Sequence, residues 1–301
     1  MTYSIVARDK RTGEMGVAVQ SHFFSVGSIV TWAKAGVGAV ATQAMVDVSY
    51  GPLGLELMAG GKSAGEALGA LLKSDPGADS RQVAMVDRKG RIAAHTGPKC
   101  LPHAGFVTGD GFSCQGNIMR NDRVWGAMKR AYEENQELPL AERMVAALEA
   151  AEEAGGDIRG RQSSAILVVS PELKPNYWEG KLIELRVEDH PAPVPEIKRL
   201  LRYQRGYEWA NKGDEFLTSK EYEKALQAYS RAFELVPEID ELKYWVGIGL
   251  LSSGRTKKGI SILKEVIAKD GNWAQVTRGV AKVGSPPIAA DVLERILGKT
   301  V

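Results

Sequence analysis

The sequence predicts an α+β domain followed by a small all-α domain, and three observations carry that prediction. Strand-like and helix-length runs come in groups through the first part of the chain rather than alternating one by one. Beyond about residue 200 the pattern is almost continuously helical. Between the two textures lies DHPAPVPE, residues 189–196, whose three prolines do not suit a helix interior or a central strand. The expected domains are therefore 1–191 and 192–301.

Each element has its own signal. YSIVAR and MGVAVQS flank the turn DKRTGE and predict a β-hairpin that starts at residue 2 or 3. SIVTWAKA and GAVATQA, separated by Gly36, predict a second strand pair. After Tyr50-Gly51-Pro52 a helix is expected to run to Ala59. Ser63 with Glu66 three residues later is a capping box that opens another. RQVAMVD and RIAAHTG form a hairpin across Arg88–Gly90, and Cys114-Gln115 end a further strand. Helices are expected near 121–134 and 139–153, and SAILVVS and KLIELRVED close the domain as strands.

Composition narrows the function classes. The 301 residues are enough for two domains and a sizeable core. With 44% hydrophobic and 25% charged residues the chain reads as globular rather than disordered. Thirty-nine basic residues against thirty-seven acidic leave +2, too balanced for a nucleic-acid binder that relies on a basic face. No apolar run approaches the ~18 residues of a membrane span. Asp9 and Lys10 interrupt any signal-peptide core, so a cytoplasmic protein is expected. Cys100 and Cys114 make no disulfide framework and read as small hydrophobes. His22, His95, His103 and His190 show no metal-site spacing, so neither a metal nor an organic cofactor is expected. Gly60-Gly61-Lys62-Ser63 is not read as a phosphate loop, because a helix rather than a strand precedes it.

The helical region carries an internal repeat. Trp209, Gly213, Phe216, Ala225, Tyr229, Ala232 and Pro237 resemble the tetratricopeptide pattern of large and small residues. Thirty-four residues on stand Gly247, Leu250, Gly259 and Leu263, with Lys243 and Gly271 replacing Trp209 and Pro237. Two units fall short of the ~3 that a free-standing solenoid needs. The helices are expected to pack on the first domain, on a sister subunit of a homo-oligomer, or on the closing segment 286–298.

Residue 2 carries the chemistry. Threonine is small enough for the initiator methionine to be removed, leaving Thr2 with an α-amine beside its own hydroxyl. A hydroxyl needs a base to become a nucleophile, and an α-amine titrating at about 8 is one. The same threonine is also simply a common second residue.

The blocks SIVARD, GVAVQS, WAKAGVGAVATQA, SYGPLGLELMAGGKSAGEAL, CQGNI, GGDIRGRQSSAILVV and LRVEDHP span about residues 2–191. In this order they resemble a bacterial family of unknown function, domain of unknown function 1028, and more broadly the N-terminal nucleophile (Ntn) hydrolases. The resemblance implies a four-layer αββα sandwich and hydrolysis of an amide or related C–N bond in a small molecule or peptide. It implies Thr2 as nucleophile and Lys34 as the nearby cation. The acidic residue of the proteasome-type relatives has no counterpart; Gln20 stands nearest.

Other residues at strand ends are site candidates with structural alternatives. Asn117 is an oxyanion donor or a turn-stabilising amide, and Lys34 is otherwise a solvated strand-end charge. Gln20, Ser21, His22 and Gln43 are expected to line the substrate pocket or to cap loops. Arg161 either binds a substrate carboxylate or caps loop carbonyls. The rival function is a non-catalytic scaffold whose helical repeats bind a protein partner.

Overall fold

The structure, a computed structural model, describes residues 2–176 and 178–298. The chain divides into two compact units, Met1–Leu201 and Arg202–Val301.

The first unit holds two antiparallel sheets. The strands β1 (Thr2–Arg8), β2 (Met15–Ser21), β7 (Gly105–Gly109), β8 (Phe112–Asn117), β9 (Ser163–Val169) and β10 (Lys181–Val187) form one sheet. Their order across it is β10-β9-β2-β1-β8-β7. The second sheet comprises β3 (Thr31–Lys34), β4 (Gly38–Ala44), β5 (Arg81–Asp87) and β6 (Ile92–Thr96), in that order. They are accompanied by the helices α1 (Gly27–Val30), α2 (Tyr50–Ala59), α3 (Ala64–Ser74), α4 (Val124–Glu134) and α5 (Leu140–Glu153).

Because side chains alternate along a strand, each sheet serves two cores. Tyr3, Ile5 and Ala7 of β1 pack with Met128, Met144 and Leu148 of α4 and α5. Val6 turns the other way and joins Val17, Val19, Ala39, Ala41, Ala84 and Val86 between the sheets. Val40, Val83 and Met85 leave the far face of the second sheet to pack with Tyr50, Leu55 and Leu68 of α2 and α3. Largely apolar residues at both alternating positions suit this, and β1, β2, β5 and β9 are buried on both faces accordingly.

Sequence and structure differ in three places. The expected strand SIVTWAKA begins as the one-turn α1, and its pairing is confined to Thr31–Lys34. Ser28 Oγ donates to the Ser25 carbonyl at 2.7 Å and Thr31 Oγ1 to that of Gly27 at 2.8 Å, local bonds that compete with a ladder. The edge strand β7, GFVTG, has too few apolar residues to read as a strand. The proline-rich seam is the start of a helix, α6 (Pro193–Thr218), with Pro193 and Pro195 in its first turn, where backbone N–H groups lack helical partners. Val194, Ile197 and Leu201 of α6 are buried in the core shared by α4 and α5.

The second unit continues α6 with α7 (Tyr222–Leu235), α8 (Asp240–Ser252), α9 (Thr256–Lys269), α10 (Asn272–Val283) and α11 (Ala290–Leu297). A Cβ on Gly213 would sit 2.4 Å from the Tyr229 ring, and one on Gly247 2.8 Å from Leu263. The pairs are thirty-four residues apart at both ends. Ile296 of α11 packs with Tyr244, Ile248 and Leu263, so the closing segment covers these helices.

Gly213→Ala tests that close approach. Overpacking of about 1–3 kcal/mol is expected to outweigh up to ~1 kcal/mol gained in helix propensity. Urea unfolding followed by helical circular dichroism should therefore show a lower midpoint, whereas an unchanged or higher one contradicts the packing.

Candidate functional site

The start of β1 is gripped from both sheets. Thr2 stands opposite Asn117 of β8, and Tyr3 opposite Gln20 of β2. Thr2 is only 5% exposed, and its Oγ1 donates to Ser21 Oγ at 3.1 Å. Its carbonyl oxygen accepts from Gln43 Nε2 of β4 at 3.2 Å and from Asn117 Nδ2 at 3.4 Å. The same two nitrogens donate to one acceptor, Gln82 Oε1 of β5, at 2.7 and 2.9 Å. Gln82 Nε2 in turn donates to the Gly116 carbonyl and to Thr96 Oγ1, each at 2.8 Å.

A second branch runs deeper. Ser4 Oγ donates to Gln43 Oε1 and accepts from Gln115 Nε2, both at 2.7 Å, and Ser113 Oγ donates to Gln115 Oε1 at 2.9 Å. Thr2, Ser4, Gln43, Gln82, Ser113, Gln115 and Asn117 are all buried. A carboxamide taken from water must find its partners or cost about 1–3 kcal/mol. Each of these finds them, and a satisfied network of this kind fixes which residues face one another.

Backbone strain gathers at the same end. Ala44 directly follows Gln43 and has φ 70°; Ile118 directly follows Asn117 and has φ 53°. Ser25 and His103, in loops at this end, also have φ 55°. Left-handed backbone at a β-branched residue is rare, and such positions cost of order 1–3 kcal/mol each. The loops between β2 and α1, β4 and α2, β6 and β7, and α5 and β9 all leave this end. They expose Phe23, Phe24, Met45, Leu101 and Ile158 to solvent.

The candidate residues fall into three groups. Thr2, Ser21, Gln43 and Asn117 are brought together between the sheets. Gln20, His22 and Arg161 lie at the same end but are drawn to the loop that follows α5. The His22 backbone N–H donates to Asp157 Oδ2 at 3.0 Å, and its Nδ1 is 3.3 Å from the Arg161 carbonyl. Lys34 stands apart: it is exposed and pairs with Gly38. Gln43 is five residues further along β4, roughly 16 Å at about 3.3 Å per residue. Met1, whose removal the sequence reading expects, lies outside the described residues.

Gln20 and Arg161 line a cavity of about 180 Å³ on the helix-facing side of the first sheet, with Tyr3, Arg120, Glu152 and Asp157. Tyr3 Oη donates to Glu152 Oε1 at 3.1 Å, and Arg161 Nε lies 3.0 Å from Glu152 Oε2. Burial pushes the Glu152 carboxyl up, against the opposing pull of Arg161 and Tyr3. Among the described residues no three His, Cys, Asp or Glu side chains form a metal site, and no helix is long and apolar enough to cross a membrane.

The family model of DUF1028, described as a family of unknown function, matches residues 2–197. The chain belongs to the DUF1028 family. It is similar to protein SPO2555 from Silicibacter pomeroyi, a DUF1028 protein of known crystal structure, at 31% identity and a TM-score of 0.60. That match covers 66% of this chain and 87% of the other. No curated protein matches.

Within the DUF1028 domain, sequence reasoning missed the residues that complete the network. Ser4, Ser113 and Gln115 sit mid-strand among apolar neighbours, and Gln82 is second in RQVAMVD, where an inward hydrophobe would be ordinary. The signal was there: polar residues at the inward positions of strands buried on both faces.

Gln82→Leu removes the shared acceptor and orphans one N–H each of Gln43 and Asn117. A loss of roughly 2–5 kcal/mol is expected in chemical denaturation, and a loss below ~1 kcal/mol would show that the network is not a cross-link. A second outcome concerns acid. Arg81 Nε donates to Asp75 Oδ2 at 2.8 Å and, with the Gly77 N–H and Tyr50 Oη, holds that carboxyl down to about 2. Arg81 also donates to the Met45 carbonyl, beside Ala44. This stabilisation is complete above the unfolded value of about 3.9 and is lost as pH falls through about 2. Asp75→Asn should lower neutral-pH stability and flatten the acid limb between those values; an unchanged limb contradicts the pairing.

Proposed function

We propose that the first unit is an Ntn-type amidohydrolase whose nucleophile is the hydroxyl of Thr2. In this reading the two sheets and their flanking helix pairs form the αββα sandwich of that class. The observation that carries it is Thr2 itself: the first residue of a central strand, gripped at its carbonyl by Gln43 and Asn117, with Oγ1 directed at Ser21. Fixing a nucleophile's backbone this tightly, beside strained Ala44 and Ile118, resembles site pre-organisation more than ordinary strand packing.

The reaction needs Met1 removed. The neutral α-amine of Thr2 then takes the hydroxyl proton, directly or through one water, as Oγ1 attacks the amide carbonyl carbon. The tetrahedral intermediate collapses as the C–N bond breaks, and the ammonium returns its proton to the leaving nitrogen. Water, deprotonated by the same amine, hydrolyses the acyl ester and restores Thr2. Asn117 and Gln43 act as positioning residues, since both their N–H groups already have acceptors; Lys34 takes no part. The second unit is read as tetratricopeptide-like, on the repeated Gly213–Tyr229 and Gly247–Leu263 contacts.

The test compares the native protein, Thr2→Ala and a form extended at its N-terminus, by intact mass and by turnover across a panel of amides. The native chain is expected to lack Met1 and to hydrolyse at least one amide. Both altered forms should be slower by about 10²–10⁴-fold. Equal turnover by the extended form, or none by a native protein lacking Met1, contradicts the proposal.

A further inference from the structure

Gln20 is wholly buried, yet neither its Nε2 nor its Oε1 has a partner. Among the described residues the other buried carboxamides of this unit are satisfied, as the network beneath Thr2 illustrates, and leaving an amide orphaned is costly. Gln20 lines the 180 Å³ cavity together with Tyr3, Arg120, Glu152, Asp157 and Arg161. The cavity is on the opposite face of the first sheet from Thr2 Oγ1, because Gln20 pairs with Tyr3 and Tyr3 faces the helices.

We propose that this cavity binds a free amino acid or another zwitterion of that size. Two observations set the ligand's chemistry. An amide with both functions open needs an acceptor and a donor together: a carboxylate for Nε2 and an ammonium for Oε1. A simple anion or cation would satisfy half of it. The charged walls are balanced in the same way, Arg120 and Arg161 against Glu152 and Asp157.

Their existing bonds assign the ends. Asp157 is held by Arg159, Nη2 to Oδ2 at 3.0 Å, and by the His22 N–H. Glu152 accepts from Tyr3 and Arg161, which leaves lone pairs for a ligand ammonium. Arg120 makes no ion pair among the described residues, is exposed and lines the cavity, which assigns it to the carboxylate. The volume lies below the ~300 Å³ at which drug-sized pockets begin, which suits a single amino acid.

The inference stands apart from the Thr2 reading, and its readout is binding. The full chain is titrated with the L-amino acids and, for any that binds, with its N-acetyl and carboxamide derivatives, by calorimetry and by thermal midpoint. At least one amino acid should bind and raise the midpoint, and each blocked derivative should bind at least tenfold more weakly. Arg120→Ala should weaken binding at least tenfold with the unliganded midpoint unchanged. Gln20→Leu should abolish binding while holding or raising that midpoint, since it removes the orphaned groups. No binding by any amino acid, equal binding of a blocked derivative, or undiminished binding by Arg120→Ala overturns the proposal. Loss of amide turnover in Thr2→Ala leaves it untouched.

Discussion

The carbonyl oxygen of Thr2 accepts from carboxamides on both sheets, and those carboxamides converge on one oxygen of Gln82. With the Ser4–Gln43 and Gln82–Gly116 bonds this convergence makes up the directional part of the interface between the sheets. Alanines and valines fill the rest of that interface and tolerate sliding, whereas a chain of satisfied buried amides fits one arrangement. The position of the first residue follows from it. So do the register of β1 against β8 and the facing of β4 and β5 toward the first sheet.

Two costs sit beside that interaction. Gln43 and Asn117 stand at or next to the ends of their strands, and the residues that follow them, Ala44 and Ile118, are in left-handed backbone. Glycine would be easier at either position. The network over-determines the local geometry and holds the strain in place, which is how strain persists at sites rather than relaxing. Around this end the loops leave Phe23, Phe24, Met45, Leu101 and Ile158 uncovered. These apolar side chains lie at the same end of the unit as the buried polar network.

Much of the first unit was legible in its sequence, because strands buried on both faces and hairpin turns leave plain patterns. YSIVAR with MGVAVQS, and RQVAMVD with RIAAHTG, lie where their apolar runs predict. SIV did not read as helix, since one helical turn held by Ser28 and Thr31 side chains has no periodicity to detect. The seam prolines marked a real change of texture, and two of them lie in the first turn of a helix. At the site, position and resemblance pointed to Thr2, and strand-end polarity to Ser21, Gln43 and Asn117. The central role of Gln82 was hidden because its partners lie 35 to 39 residues away in sequence. Lys34 shows the reverse limit: its place in a motif says nothing of which strand end it occupies.

Covalent trapping examines the core of this account most directly. The native protein is incubated with an acylating β-lactone, then digested, and the modified peptide is mapped by mass spectrometry. The expected result is one acyl group on the hydroxyl of Thr2 at a chain terminus freed of Met1, with none on Thr2→Ala. Acylation confined to other residues, or a chain that retains Met1 and is modified equally, would contradict it.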